Sequence, residues 1–262
     1  MHRFQSSPQR TRRAAALVAA AALCAASGTQ AQQPVVNGGS RADQAREAAV
    51  DRFTVKPESI AFGPRPLYVA HTEPLWVRGK DREPVRIAQV EVTGASEKAF
   101  TVANRCQGTL RMEEDCRIDV TFEPTSAGEK TAQVRIVTGD GAVRTRAVTG
   151  TGVLARYSVS TQAVRFGQVG LHEGGKQQKV TITNTGTVGL PVTATSLSGP
   201  NEKQFEQSND CPQELIPGRS CASTVVFRPT FTGQHEATLT VWAKGGAKES
   251  KIALSGTATD RR

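Results

Sequence analysis

The chain has 262 residues, with 33 Lys and Arg against 24 Asp and Glu, and only 5 % aromatics. Its 22 % charged and 37 % hydrophobic fractions lie near globular averages and exclude wholesale disorder. Its 24 Gly and 13 Pro follow no Gly-X-Y period, which excludes collagen and announces many turns.

Residues 1–31 read as an export signal. Arg3, Arg10, Arg12 and Arg13 make a basic start with no acid, Ala14 to Ala26 is apolar, and small residues lead to Ala31. An apolar run of this length is too short to cross a bilayer, which needs about 20 residues of helix. Cys24 follows Leu23, where a lipidation signal asks for Gly, Ala or Ser, so a lipoprotein is not favoured. Cleavage near Ala31 leaves an expected periplasmic or secreted protein without a transmembrane span. It also removes four arginines, so the formal +9 falls to +5.

Residues 32–52 are a linker in which Ser40-Arg41-Ala42-Asp43 resembles a capping box, predicting a short helix over Gln44 to Val50. Beyond it the chain repeats with a period of 105. Gly94, Glu97, Lys98, Phe100 and Cys106 recur as Gly199, Glu202, Lys203, Phe205 and Cys211, and Cys116 recurs as Cys221. Val120, Phe122, Pro124, Thr125 and Gly128 recur as Val225, Phe227, Pro229, Thr230 and Gly233. Near the ends the offset slips by one: Phe62-Gly63 matches Phe166-Gly167, and Gly150-Thr151 matches Gly256-Thr257. A unit this long exceeds a solenoid repeat, so each copy is expected to fold around its own core, over 53–152 and 157–258. Four cysteines of an exported chain allow three pairings. The duplication selects Cys106 with Cys116 and Cys211 with Cys221, each ten residues apart.

Inside each copy the pattern is β. Apolar side chains at 85, 87, 90 and 92 alternate with a phase shift that predicts a bulge. Ile118, Val120 and Phe122 alternate with polar residues, as do Val134 and Ile136, Val180 and Ile182, and Leu239 and Val241. Pro124 to Gly128 and Pro229 to Gly233 read as turns. Short strands punctuated this way predict an all-β chain of two tandem immunoglobulin-like antiparallel sandwiches. The linker Gly152 to Arg156, apolar at its centre, predicts a fixed tandem.

The two copies resemble Hydin-type (ASH) immunoglobulin-like repeats, including those of bacterial choice-of-anchor D proteins. In the second copy the resemblance is carried by Val164-Arg165-Phe166-Gly167, Val180 to Gly186, Cys211, Leu215 to Cys221, Val225 to Thr230 and Leu254 to Thr257. The first copy lacks the Asn-Thr-Gly segment and has Arg78-Gly79-Lys80-Asp81 there. The resemblance implies sandwiches of seven to nine strands that scaffold or recognise partners without chemistry.

Catalytic, metal and cofactor signatures are not apparent in the sequence. His71, His172 and His235 have no ligand spacing, and phosphate-loop, nucleophile-elbow and His-Glu-x-x-His motifs do not occur. Glu113-Glu114-Asp115 lacks the alternate spacing of a calcium loop and reads as a solvated turn. The remaining charge divides as +1 and +3 between the copies without a basic run interleaved with aromatics, so no specific nucleic acid is expected. Trp76 aligns with Thr181, between the inward residues of a strand, and Trp242 follows inward Val241; both therefore point outward. Two readings stand for them: cover by the protein's own segments, or a surface that binds a partner. The expected function is a noncatalytic exported binding or scaffolding protein of the bacterial cell envelope, acting through sandwich faces or edge strands. The alternative is a periplasmic chaperone or assembly factor for secreted or pilus-like subunits. Oligomeric state is not readable from the sequence.

Overall fold

The computed structural model describes residues 51–260 except His172. The export signal, Cys24 and the helix expected over Gln44 to Val50 lie outside the described residues.

Nine strands make the first sandwich: β1 Phe53–Lys56, β2 Ser59–Pro66, β3 His71–Gly79, β4 Val85–Thr93, β5 Phe100–Asn104, β6 Thr109–Leu110, β7 Asp115–Phe122, β8 Gly128–Thr138 and β9 Val143–Val153. Eight make the second: β10 Tyr157–Val159, β11 Ala163–Gly170, β12 Lys176–Asn184, β13 Val192–Ser198, β14 Phe205–Asn209, β15 Ser220–Phe227, β16 Gly233–Ala243 and β17 Ser250–Thr259. The sheets run β1-β3-β7-β5 over β2-β9-β8-β4-β6, and β10-β12-β15-β14 over β11-β17-β16-β13. The described residues are almost entirely β, in two immunoglobulin-like sandwiches, with a single 3-10 turn before β5 and before β14.

Period-two alternation decides what each strand buries. Ile118, Val120 and Phe122 are buried on one face of β7, and Val180 and Ile182 on one face of β12. The phase shift in β4 is a register break between Ile87 and Gln89. It returns Val90 and Val92 to the core side, where they pack at the margin.

Each core holds a cluster of three phenylalanines, and the first adds Phe53 of β1. Phe62, Phe100 and Phe122 have ring centroids 4.8 to 6.1 Å apart, and Phe166, Phe205 and Phe227 repeat the cluster at 4.9 to 5.7 Å. Such contacts add roughly 0.5–1.5 kcal/mol per pair beyond area burial. The Gly-Thr that ends each repeat serves this cluster. A Cβ on Gly150 would lie 2.5 Å from Phe122 Cε1, and one on Gly256 2.5 Å from Phe227 Cε1.

One pairing in each sandwich departs from the antiparallel expectation. β2 runs parallel to β9, and β11 parallel to β17. The chain enters on one sheet with β1, crosses at Pro57, and joins the other sheet beside its last strand. Entering and leaving strands then point the same way. Arg146 secures the crossing: its Nε and Nη2 donate to the Val55 carbonyl at 3.1 and 2.8 Å. Its Nη2 also lies 3.3 Å from Glu58.

Three residues, Leu154–Arg156, join the sandwiches, because β9 runs on to Val153. All described residues fall in one compact unit. Leu67 bridges Gly245 in antiparallel fashion, and the Ala155 N–H donates to the Gly245 carbonyl at 2.9 Å. A Cβ on Gly245 would sit 2.5 Å from Ala155 Cβ. Tyr68 adjoins this contact in the left-handed region, at φ 57°.

Candidate interaction surfaces

Cys106 and Cys211, in the loops after β5 and β14, meet Cys116 on β7 and Cys221 on β15. Cys106 and Cys116 have Sγ atoms 1.96 Å apart, and Cys211 and Cys221 2.01 Å apart, with Cα–Cα 5.0 Å in both. Each pair ties a loop to the strand after it. The loops carry buried leucines across the sandwich: Leu110 pairs with Val85, and Leu215 bridges Leu190. Closing a loop of this length stabilises by roughly 2–3 kcal/mol through the unfolded chain.

Acidic residues near the first bridge are engaged within the protein. Asp115 accepts two hydrogen bonds from Arg78, at 2.8 and 3.0 Å, and the nearby guanidinium holds its carboxyl below the usual range. Glu113 lies 3.5 Å from Arg78, and Glu114 accepts the Arg111 N–H at 2.9 Å. In the second copy Asp210 groups with Cys211 and Cys221, but those sulfurs are bonded to each other and the carboxylate accepts the Ala222 N–H at 2.6 Å. A thiolate, which metal ligation by cysteine needs, is absent from that group.

His235 is fully buried between Phe227 and Phe231, and its Nε2 lies 2.9 Å from the Phe231 carbonyl. His71 opens β3; burial, then Arg65, pushes its pKa below the ordinary 6.5, and its Nε2 is buried without a partner. Among the described residues, neither imidazole hydrogen-bonds a side chain able to act as a nucleophile.

Trp76 is 47 % exposed and Trp242 is 46 % exposed. Trp76 stands on β3 between Lys56 of β1 and Arg117 of β7. Those cations have acidic partners, Glu58 at 2.7 Å and Asp119 at 2.7 Å. The indole is therefore a platform inside a frame of ion pairs. Trp242 lies opposite Ala194, one strand in from an edge, and the small neighbour leaves its ring uncovered on that side. At the junction Tyr68 and Leu154 are also exposed, and both adjoin the space over Gly246. Beside them a groove of about 420 Å³ runs along Leu154, Ala155, Tyr157 and Ala247, flanked by Arg156 and Lys248. Sequence reasoning missed Tyr68 and this groove; the Gly245-Gly246 pair was the available signal, but it reads equally as a turn.

Known proteins place these features in a family. Residues 46–146 match the model for ASH, the abnormal-spindle-like microcephaly-associated, ASPM-SPD-2-Hydin domain. Residues 155–257 match the HYDIN/CFA65/VesB-like Ig-like domain. No curated protein matches the chain. Among solved structures it is similar to a protein of unknown function from Porphyromonas gingivalis W83, at 14 % identity over 79 % of this chain and 99 % of that one, TM-score 0.34. The ASH/PapD-like domain 7 of human CEP192 matches at 13 % identity over 49 % and 100 %, TM-score 0.35. The YadV chaperone matches at 10 % identity over 78 % and 100 %, TM-score 0.30.

Proposed function

From a chain whose two sandwiches belong to the Hydin-type ASH family of immunoglobulin-like domains, we infer a noncatalytic binding or scaffolding protein that is exported to the bacterial cell envelope. The observation that carries the reading is the repetition itself. Two consecutive family domains each hold a complete core and a cysteine pair at bonding distance. Such pairs persist in oxidising compartments, which accords with the basic and apolar character of residues 1–31. We assign the domains to 53–152 and 157–258, and the binding surfaces to the faces bearing Trp76 and Trp242. Large exposed aromatics flanked by polar groups suit protein recognition. No described helix is long and apolar enough to cross a membrane.

Copurification from fractionated cells tests the reading. An envelope or secreted protein partner retained by the wild type, and reduced by Trp76→Ala or Trp242→Ala, is the expected result. Recovery in the cytosolic fraction with reduced cysteines would overturn it. Assembly-factor action on secreted or pilus-like subunits is a second reading, favoured by an unpaired strand edge in the first sandwich; retention of a subunit client would select it.

A further inference from the structure

The two sandwiches have four lateral seams, where the edge strands of facing sheets come side by side. At three of them a side chain donates to a carbonyl of an edge strand. Arg146 donates to Val55 of β1. Lys176 Nζ donates to Phe166 of β11 at 2.7 Å. Gln207 Nε2 of β14 donates to Thr195 of β13 at 2.9 Å, and Asn209 Nδ2 supports it at the Thr195 hydroxyl, 3.2 Å away. Polar plugs of this kind occupy groups that would otherwise pair with a foreign strand.

The fourth seam, between β4 and β5, differs. At the repeat offset of 105, Val90 stands where Thr195 does and Val102 where Gln207 does, while Asn104 matches Asn209. Registers agree as well: Val90 lies opposite Ile136, as Thr195 lies opposite Val241. The Thr195 carbonyl turns outward to meet Gln207. In an antiparallel strand the N–H and C=O of one residue point the same way, so those of Val90 face the open edge. β6 covers β4 only at Val85 and Arg86. From Gln89 to Thr93 the edge carries no Lys, Arg or Pro, and its one acid, Glu91, is held by Arg135 at 2.7 Å. Inside the seam Val90, Val92 and Val102 are only partly buried, and no side-chain donor among the described residues closes it.

We propose that this seam accepts an extended segment of a partner polypeptide, about five residues long and apolar at alternate positions. Its main chain pairs with the outward N–H and C=O groups of Val90 and Val92. Its alternate side chains enter the slot that the three valines line, where the second sandwich has its own Gln207. Strand addition of this type takes affinity from the ladder and specificity from the alternate pockets. The inference rests on the binding-protein reading and names the partner chemistry for it.

The test uses the oxidised full chain and a seven-residue probe, acetyl-Lys-Thr-Val-Thr-Val-Thr-Lys-amide, followed by amide hydrogen exchange. The expected result is saturable binding that slows exchange at Val90 and Val92 by about tenfold or more, with Thr195 unchanged. The double variant Val90→Thr/Val102→Gln transplants the plug of the second sandwich and is expected to weaken the probe at least about tenfold. The single variant Val102→Gln gives a second check if the pair melts early. Undiminished binding by a folded plug variant overturns the proposal. So does slow exchange at Val90 before any probe is added, which would mean that the chain covers its own seam. Absence of binding, or protection confined to the tryptophan faces, also overturns it. The binding-protein reading would then stand or fall separately, on copurification.

Discussion

Leu67 of the first sandwich and Gly245 of the second face each other as an antiparallel bridge across the junction. Gly245 is at φ 89°, and any Cβ there would press on Ala155 and Pro66. Gly245→Val is therefore expected to break the docking while leaving both phenylalanine clusters intact. Small-angle scattering should show a wider spread of lengths than the wild type, and calorimetry two transitions where the wild type gives one. An unchanged scattering profile would count against a fixed tandem.

Removing either cysteine pair, as Cys106→Ser/Cys116→Ser or Cys211→Ser/Cys221→Ser, should cost about 2–3 kcal/mol by denaturant unfolding. The two losses should be nearly equal and additive, because the bridges lie in separate cores and close loops of equal length.

His71 links stability to mild acid. Its folded pKa is depressed below 6.5, chiefly by burial and then by Arg65, with Glu73 and Glu214 opposing. The unfolded chain thus binds the proton more readily, and stability falls as pH drops through about 6.5 toward the folded value. The effect should stay below about 1 kcal/mol, because the ring is only partly screened from solvent. His71→Gln should flatten the thermal profile between pH 7 and 5. Asp115 and Glu58 act in a lower window: their depressed pKa values give stability that is full above about pH 4.5 and declines in stronger acid.

Fluorescence quenching by iodide should reach both indoles, since each is close to half exposed. Trp76→Phe and Trp242→Phe should each remove about half of the quenchable signal and shift stability by less than about 0.5 kcal/mol. Two shielded tryptophans in the wild type would refute their assignment to contact surfaces.

Much of the architecture was legible because burial writes itself into alternation. The phase break between Ile87 and Gln89, the inward pairs Val180/Ile182 and Leu239/Val241, and the outward turn of both tryptophans all follow from a period of two. The parallel pairing of β2 with β9 was not legible. Alternation reports which face a strand buries, whereas its neighbour depends on where the chain crosses at Pro57. The junction was hidden for another reason: Leu67 and Gly245 are far apart in sequence and meet only through the docking of loops. Seam plugging lies between these cases. The valine-for-glutamine difference at 102 and 207 is visible in the repeat, but its meaning depends on the carbonyl that Gln207 reaches.

The parallel pair that closes each sandwich also has a mechanical consequence. β2, the strand after the crossing, and β9, the outgoing strand, lie side by side, so tension that reaches them from the chain ends draws them in opposite directions along their shared length. Such a load is shear, which strains the ladder bonds together rather than peeling them one by one. β11 and β17 repeat the arrangement. Stretched between two anchored points, the protein would resist as two clasps in series.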